Sequence, residues 1–124
     1  MSHSKLIIFS LLPLLPACAL QQVSYKQDVH PILESNCNGC HTAPSGYGYQ
    51  KSGLKMDTYP SLMKGTFYGP VIIAGDSRRS IFNKLVEGRA GQLQKILHQD
   101  DKENISEIEV EILKDWVDQG ALDN

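Results

Sequence analysis

The sequence predicts an all-α domain of about four short helices. Apolar residues recur at three- and four-residue spacing in several stretches. Those stretches open on Ser, Thr or Asp and close on glycine. Only Gly69–Gly75 reads as an extended apolar run, and no second run of that kind is available to pair with it.

The chain has 124 residues, and its beginning reads as an export signal rather than as part of the fold. Met1–Lys5 is weakly positive, Leu6–Leu15 is almost wholly apolar, and Pro16-Ala17-Cys18-Ala19 brings small residues to a cleavage point. The apolar run is too short to span a bilayer, and Pro13 and Pro16 interrupt it. A cut after Ala19 gives a soluble product starting at Leu20. Leu15-Pro16-Ala17-Cys18 also resembles a lipobox, although proline is unusual there, and would place a lipid anchor on Cys18. Residues 1–19 are thus the expected signal peptide, and 20–124 are enough for one domain with a modest core.

The first helix is expected over Tyr25–Glu34. Ser24 and Gln27 resemble a capping box, and Tyr25, Val29, Ile32 and Leu33 share a face. Pro31 requires either a kink or a shorter helix with the proline in its first turn. Thr42–Gly53, rich in Gly, Ser and Tyr, reads as loop. Asp57 or Thr58 caps a short helix through Met63, ended by Gly65. Asp76 or Ser77 opens a helix carrying Ile81, Phe82, Leu85 and Val86, and Gly88 closes it. The last helix has the clearest signals. Ser106 and Glu109 form a capping box, Ile108, Ile112, Leu113, Trp116 and Val117 form a stripe, and Gly120 marks the stop.

The formal charge is −2 and no basic run suits a nucleic-acid backbone, so no nucleic-acid partner is expected. Acids crowd residues 100–118 near the C-terminus: Asp100, Asp101, Glu103, Glu107, Glu109, Glu111, Asp115 and Asp118 face only Lys102 and Lys114 there. Such a surface either steers a basic partner or is simply a solvated helix face.

Apart from Cys18, the cysteines are Cys37 and Cys40, in "NCNGCH". A disulfide between them would close a very small loop and constrain little. Cys-x-x-Cys-His is the attachment pattern for a c-type haem. Two thiols add to the porphyrin vinyl groups, a short turn through Asn38-Gly39 sets their separation, and His41 supplies a nitrogen to the iron. A thioredoxin-like redox pair would need a βαβ setting. A zinc site would need a distant fourth ligand such as His30 or His98. A chance pair beside a histidine is the remaining alternative.

Beyond the motif, the chain resembles small monohaem cytochrome c domains of the planctomycete-type and related groups. The resemblance covers nearly all of residues 20–124. It rests on "DVHPILESNCNGCH", "SGLKMDTYPSLMKG", "GPVIIAGDSRRSIF" and "ISEIEVEILKDWVDQGA" in that order. It implies the cytochrome c fold and one covalent haem c held by Cys37, Cys40 and His41. It also implies single-electron transfer between redox partner proteins outside the cytoplasm, in the periplasm or anchored at the outer membrane, with no substrate turnover. Trp116, Leu113, Ile32 and Leu33 would form the seam between first and last helices, and Ile72, Leu85, Ile96 and Leu97 would line the haem pocket. The family places a methionine, the second iron ligand, in a Met-Pro pair about eight residues before the last helix. This sequence has no Met-Pro pair, and His98 stands at that position. Bis-histidine ligation by His41 and His98 is therefore expected. Met56 or Met63 as ligand, or an open iron site suited to a gas sensor or a peroxidase-like protein, are the alternatives.

Overall fold

A computed structural model describes residues 21–92 and 105–124. The signal segment with Cys18, and the stretch holding Ile96, Leu97 and His98, lie outside the described residues.

Ser24 opens the first helical element. Its hydroxyl accepts from the Gln27 amide at 3.2 Å, and its own amide donates to Asp28 Oδ2 at 2.8 Å. Asp28, not Gln27, thus completes the reciprocal pair. Tyr25–Val29 is a π-helical turn that runs into helix α1 (His30–Asn36), with Pro31 in the first turn of α1. A proline ring crowds the carbonyl four residues behind it, and a widened turn relieves that contact. Both expected outcomes for Pro31 are met in part: the chain adjusts before the proline, and the proline starts a shorter helix.

Residues 42–53 depart from the expected loop, because they contain helix α2 (Tyr47–Ser52). Its composition, Tyr-Gly-Tyr-Gln-Lys-Ser, has weak intrinsic helix preference. Surrounding contacts hold it instead. Gly46 is buried so tightly that a Cβ there would lie 2.4 Å from the Cys40 carbonyl oxygen. Gly53 ends the helix in the left-handed conformation, at φ 75°.

Helix α3 (Tyr59–Lys64) follows its predicted cap, with the Thr58 hydroxyl accepting from the Ser61 amide at 3.4 Å. The apolar run 69–75 forms no strand among the described residues. Val71 and Ile72 are buried there, and the Phe82 amide donates to the Val71 carbonyl at 3.1 Å. Helix α4 (Ile81–Val86) starts later than the sequence suggests. Asp76 caps a turn rather than a helix: its Oδ1 accepts from the Arg79 amide at 2.9 Å. The buried Ser80 hydroxyl donates to the Asp76 carbonyl at 2.8 Å and accepts from the Ile73 amide at 2.8 Å. Helix α5 (Glu107–Asp118) has the full predicted capping box.

One apolar core joins these elements apart from α2, which adds no residue to it. Ile32, Leu33, Leu113 and Trp116, the four residues expected at the seam, are all buried in it. Trp116 lies 5.6 Å from Tyr25 and 6.4 Å from Tyr59, ring centre to ring centre. The segment before α1 is laced to the residues after α5. Asn124 Oδ1 accepts from the Tyr25 amide at 2.8 Å, the Asn124 carbonyl accepts from Lys26 at 3.0 Å, and Gln119 Oε1 accepts from Val23 at 2.8 Å. No helix among the described residues is long and apolar enough to cross a membrane.

Candidate functional site

Helix α1 delivers the chain into the motif. Cys37 caps its C-terminus, with its amide bonded to the Leu33 carbonyl at 2.9 Å. The Cys40 and His41 amides both donate to the Cys37 carbonyl, at 3.1 and 3.0 Å. Residues 37–41 therefore wrap into one tight turn. The Thr42 hydroxyl closes it by donating to the Asn38 carbonyl at 2.5 Å. Cys37 is half-buried and Cys40 is exposed, and the two are not joined to each other.

His41 is held from several sides. Its Nδ1 lies 3.1 Å from the Leu54 carbonyl oxygen. A carbonyl can only accept, so Nδ1 carries the proton and the lone pair sits on Nε2. The Met56 amide donates to the His41 carbonyl at 3.1 Å, and the Tyr49 amide to the Cys40 carbonyl at 3.0 Å. Gly48 lies against the ring face: a Cβ there would fall 2.7 Å from Cε1 and 2.8 Å from Nε2. Neither Gly48 nor the Leu54 carbonyl was singled out from sequence. The signal for Gly48 is a glycine between two tyrosines just after the motif. A backbone carbonyl has no sequence signal of its own.

The start of α5 stands beside this end of α1. Glu109 is held below the usual carboxylate range, first by the Ser106 amide, then by the Ser106 hydroxyl, with the Asn36 side chain adding to both. Other sequence candidates have structural tasks. Met56 is buried in the core and Met63 packs against it. His30 Nε2 lies 3.3 Å from the Asp57 carbonyl, and its ring meets Tyr25 edge-on at 5.9 Å. Of the two described residues expected in the pocket, Ile72 is buried and Leu85 half-buried. Asn83 on α4 is fully buried, and among the described residues neither its amide oxygen nor its nitrogen has a hydrogen-bond partner. No group of three or more His, Cys, Asp or Glu is placed to hold a metal ion among the described residues.

The donor set fits a c-type haem. It offers two sulfurs not tied to each other, a single-turn spacing between them, and an imidazole whose tautomer directs Nε2 to a ligand. A glycine flanks that imidazole. A model of the PccH cytochrome c family matches residues 24–124. The chain belongs to that family. No curated protein and no solved structure matches it. This cytochrome thus has the all-α fold read from its sequence and carries covalently bound haem c, and the family's work is electron transfer.

Proposed function

We propose that this cytochrome is an exported carrier of single electrons, with one haem attached through Cys37 and Cys40 and its iron held by His41 and His98. The bound haem supplies a one-electron centre. The protein supplies position. Cys37, at the end of α1, and Cys40, one turn on and exposed, would hold the haem through their sulfurs. Leu54 holds His41 in the tautomer that offers Nε2, and its hydrogen bond raises the basicity of that nitrogen. A second imidazole in place of a thioether lowers the potential relative to methionine-ligated cytochromes. Asn83, whose buried amide has no hydrogen-bond partner among the described residues, would supply a donor to a polar group of the haem such as a propionate. Residues 1–19 direct export to the periplasm, and Cys18 carries the lipid if the cut precedes it.

The observation that carries this reading is the Nδ1 contact of His41 with Leu54 at 3.1 Å, within a Cys-x-x-Cys-His turn. The test begins with mass and pyridine-haemochrome spectrum of protein matured with a haem-attachment system. One haem per chain is expected, lost when Cys37 and Cys40 are both changed to alanine. Ferrous absorption bands unmoved by carbon monoxide support two strong axial ligands. A readily formed carbon monoxide adduct would instead favour an open site and a sensor or peroxidase-like role.

A further inference from the structure

The surface behind His41 is aromatic and positively charged. Helix α2 has Gly48 against the imidazole and the exposed Tyr47 and Lys51 elsewhere on its circumference. Tyr47 is 68 % exposed, with the Lys51 ammonium 5.5 Å from its ring centre. At the other end of α2, Phe67 rests on Gly53, since a Cβ at that glycine would lie 2.5 Å from the Phe67 ring. The Phe67 amide donates to the Ser52 carbonyl at 2.9 Å. Phe67 is nevertheless 70 % exposed and Tyr68 94 %. Six residues of helix advance about 9 Å, so these aromatics flank one short element. Uncovered aromatics of this size, gathered on neighbouring segments, mark contact surfaces.

Charge selects the partner. Between residues 42 and 70 the chain carries Lys51, Lys55 and Lys64 against Asp57 alone. Asp57 is paired with Lys55 at 3.3 Å. Lys51 and Lys64 are exposed and have no carboxylate partner among the described residues. The acids of α5 are in part committed elsewhere: Glu109 caps the helix, Glu111 pairs with Lys114, and Asp118 receives the Ser77 amide and hydroxyl. A second basic feature is the open depression of about 420 Å³ lined by Asp76, Arg78, Arg79 and Arg89. Two of its arginines are neutralised, Arg79 by Asp76 and Arg89 by Glu87.

We propose that Tyr47, Lys51, Lys64, Phe67 and Tyr68 form the docking face for an acidic redox partner, which meets this cytochrome over α2 and the back of His41. The proposal rests on the electron-carrier reading. The aromatics supply area that sheds water on contact, and the unpaired lysines steer the approach.

The test uses the haem-loaded protein and anionic probes. Paramagnetic hexacyanochromate(III) is expected to broaden the backbone amide resonances of residues 47–52 and 64–68. Hexacyanoferrate(III), which takes one electron from the ferrous protein, is expected to react about tenfold more slowly when Lys51 and Lys64 are both changed to glutamate. The rate with cationic tris(phenanthroline)cobalt(III) should not fall, and the difference should shrink as salt screens it. Broadening centred on Arg78, Arg79 and Arg89, or a rate ratio unmoved by the double substitution, overturns the assignment. Absence of a haemochrome strikes the electron-carrier reading instead, and the hexacyanochromate map still reads the surface.

Discussion

Gly48→Ala tests how closely α2 supports the imidazole of His41. Two effects of opposite sign compete. Alanine is the better helix former, by about 1 kcal/mol in a helix interior. The added methyl would sit 2.7 Å from Cε1, 2.8 Å from Nε2 and 3.1 Å from Nδ1, where ordinary contact begins at 3.4 Å. The ring has little room to retreat, because Nδ1 is tied to Leu54 and the backbone on both sides is hydrogen-bonded. Forcing a methyl into such a space costs about 1–3 kcal/mol. Overpacking therefore outweighs propensity, with a net loss of up to about 2 kcal/mol. For a domain of this size about 1 kcal/mol moves the thermal midpoint by roughly 4–8 °C. Unfolding of the haem-loaded protein would be followed in the Soret band. The iron–histidine stretch of its ferrous form, made five-coordinate where needed by His98→Ala, would be read by resonance Raman. Gly39→Ala is the control, since no atom of the described residues lies within 4 Å of a Cβ there. A Gly48→Ala protein that melts higher than the parent with an unchanged stretch would refute the contact, because only the propensity gain would then remain.

Other outcomes follow from the same contacts. His98→Ala should open the ferrous protein to carbon monoxide, and unaltered carbon monoxide binding in that variant would remove His98 as a ligand. Ser106→Ala deletes the cap of α5 and should cost about 1 kcal/mol, visible as a lower denaturant midpoint. Asn83→Leu should lower the melting temperature of the haem-loaded protein if the amide serves a propionate. An amide that serves nothing would give a higher one, since its burial penalty would vanish. Burial, with smaller effects from Asp123, Asp57 and Tyr59, pushes the Tyr25 phenol up to about 12. The unfolded chain ionises that phenol near its usual value of 10.0, so its ionisation costs folding nothing below that pH, and stability falls as pH rises from there toward about 12. Tyr25→Phe should flatten this alkaline loss and slightly raise stability at neutral pH, since the buried hydroxyl has no partner among the described residues. An unchanged alkaline unfolding curve would argue against it.

The parts legible in sequence were those fixed by local chemistry. Ser106 and Glu109 announce α5 because a capping box is satisfied within four residues. Thr58 and Gly65 bracket α3 for similar reasons. The Cys37-Cys40-His41 turn was readable because its spacing is itself the chemistry. What escaped depended on distant partners. Helix α2 exists because Gly46 fits under Cys40 and Gly48 under His41, and a loop-like composition conceals both. The start of α4 slipped because Asp76 and Ser77, good caps in isolation, are engaged by Arg79 and Asp118 instead. The orphaned amide of Asn83 could be recognised only once its burial was known.

The lacing around Asn124 bears on the order of events during maturation. Tyr25 and Asn124 are 99 positions apart, and Ser24 and Asn124 are 100 apart. Such contacts need residues that lie far beyond the thiol turn in the chain, and joining them carries a loop-closure cost. The thiol turn lies inside the loop they close. An attachment enzyme that reaches the chain as it emerges would therefore meet Cys37 and Cys40 on an unclosed strand, and zipping of the two ends would come afterward, around a porphyrin already fixed in place.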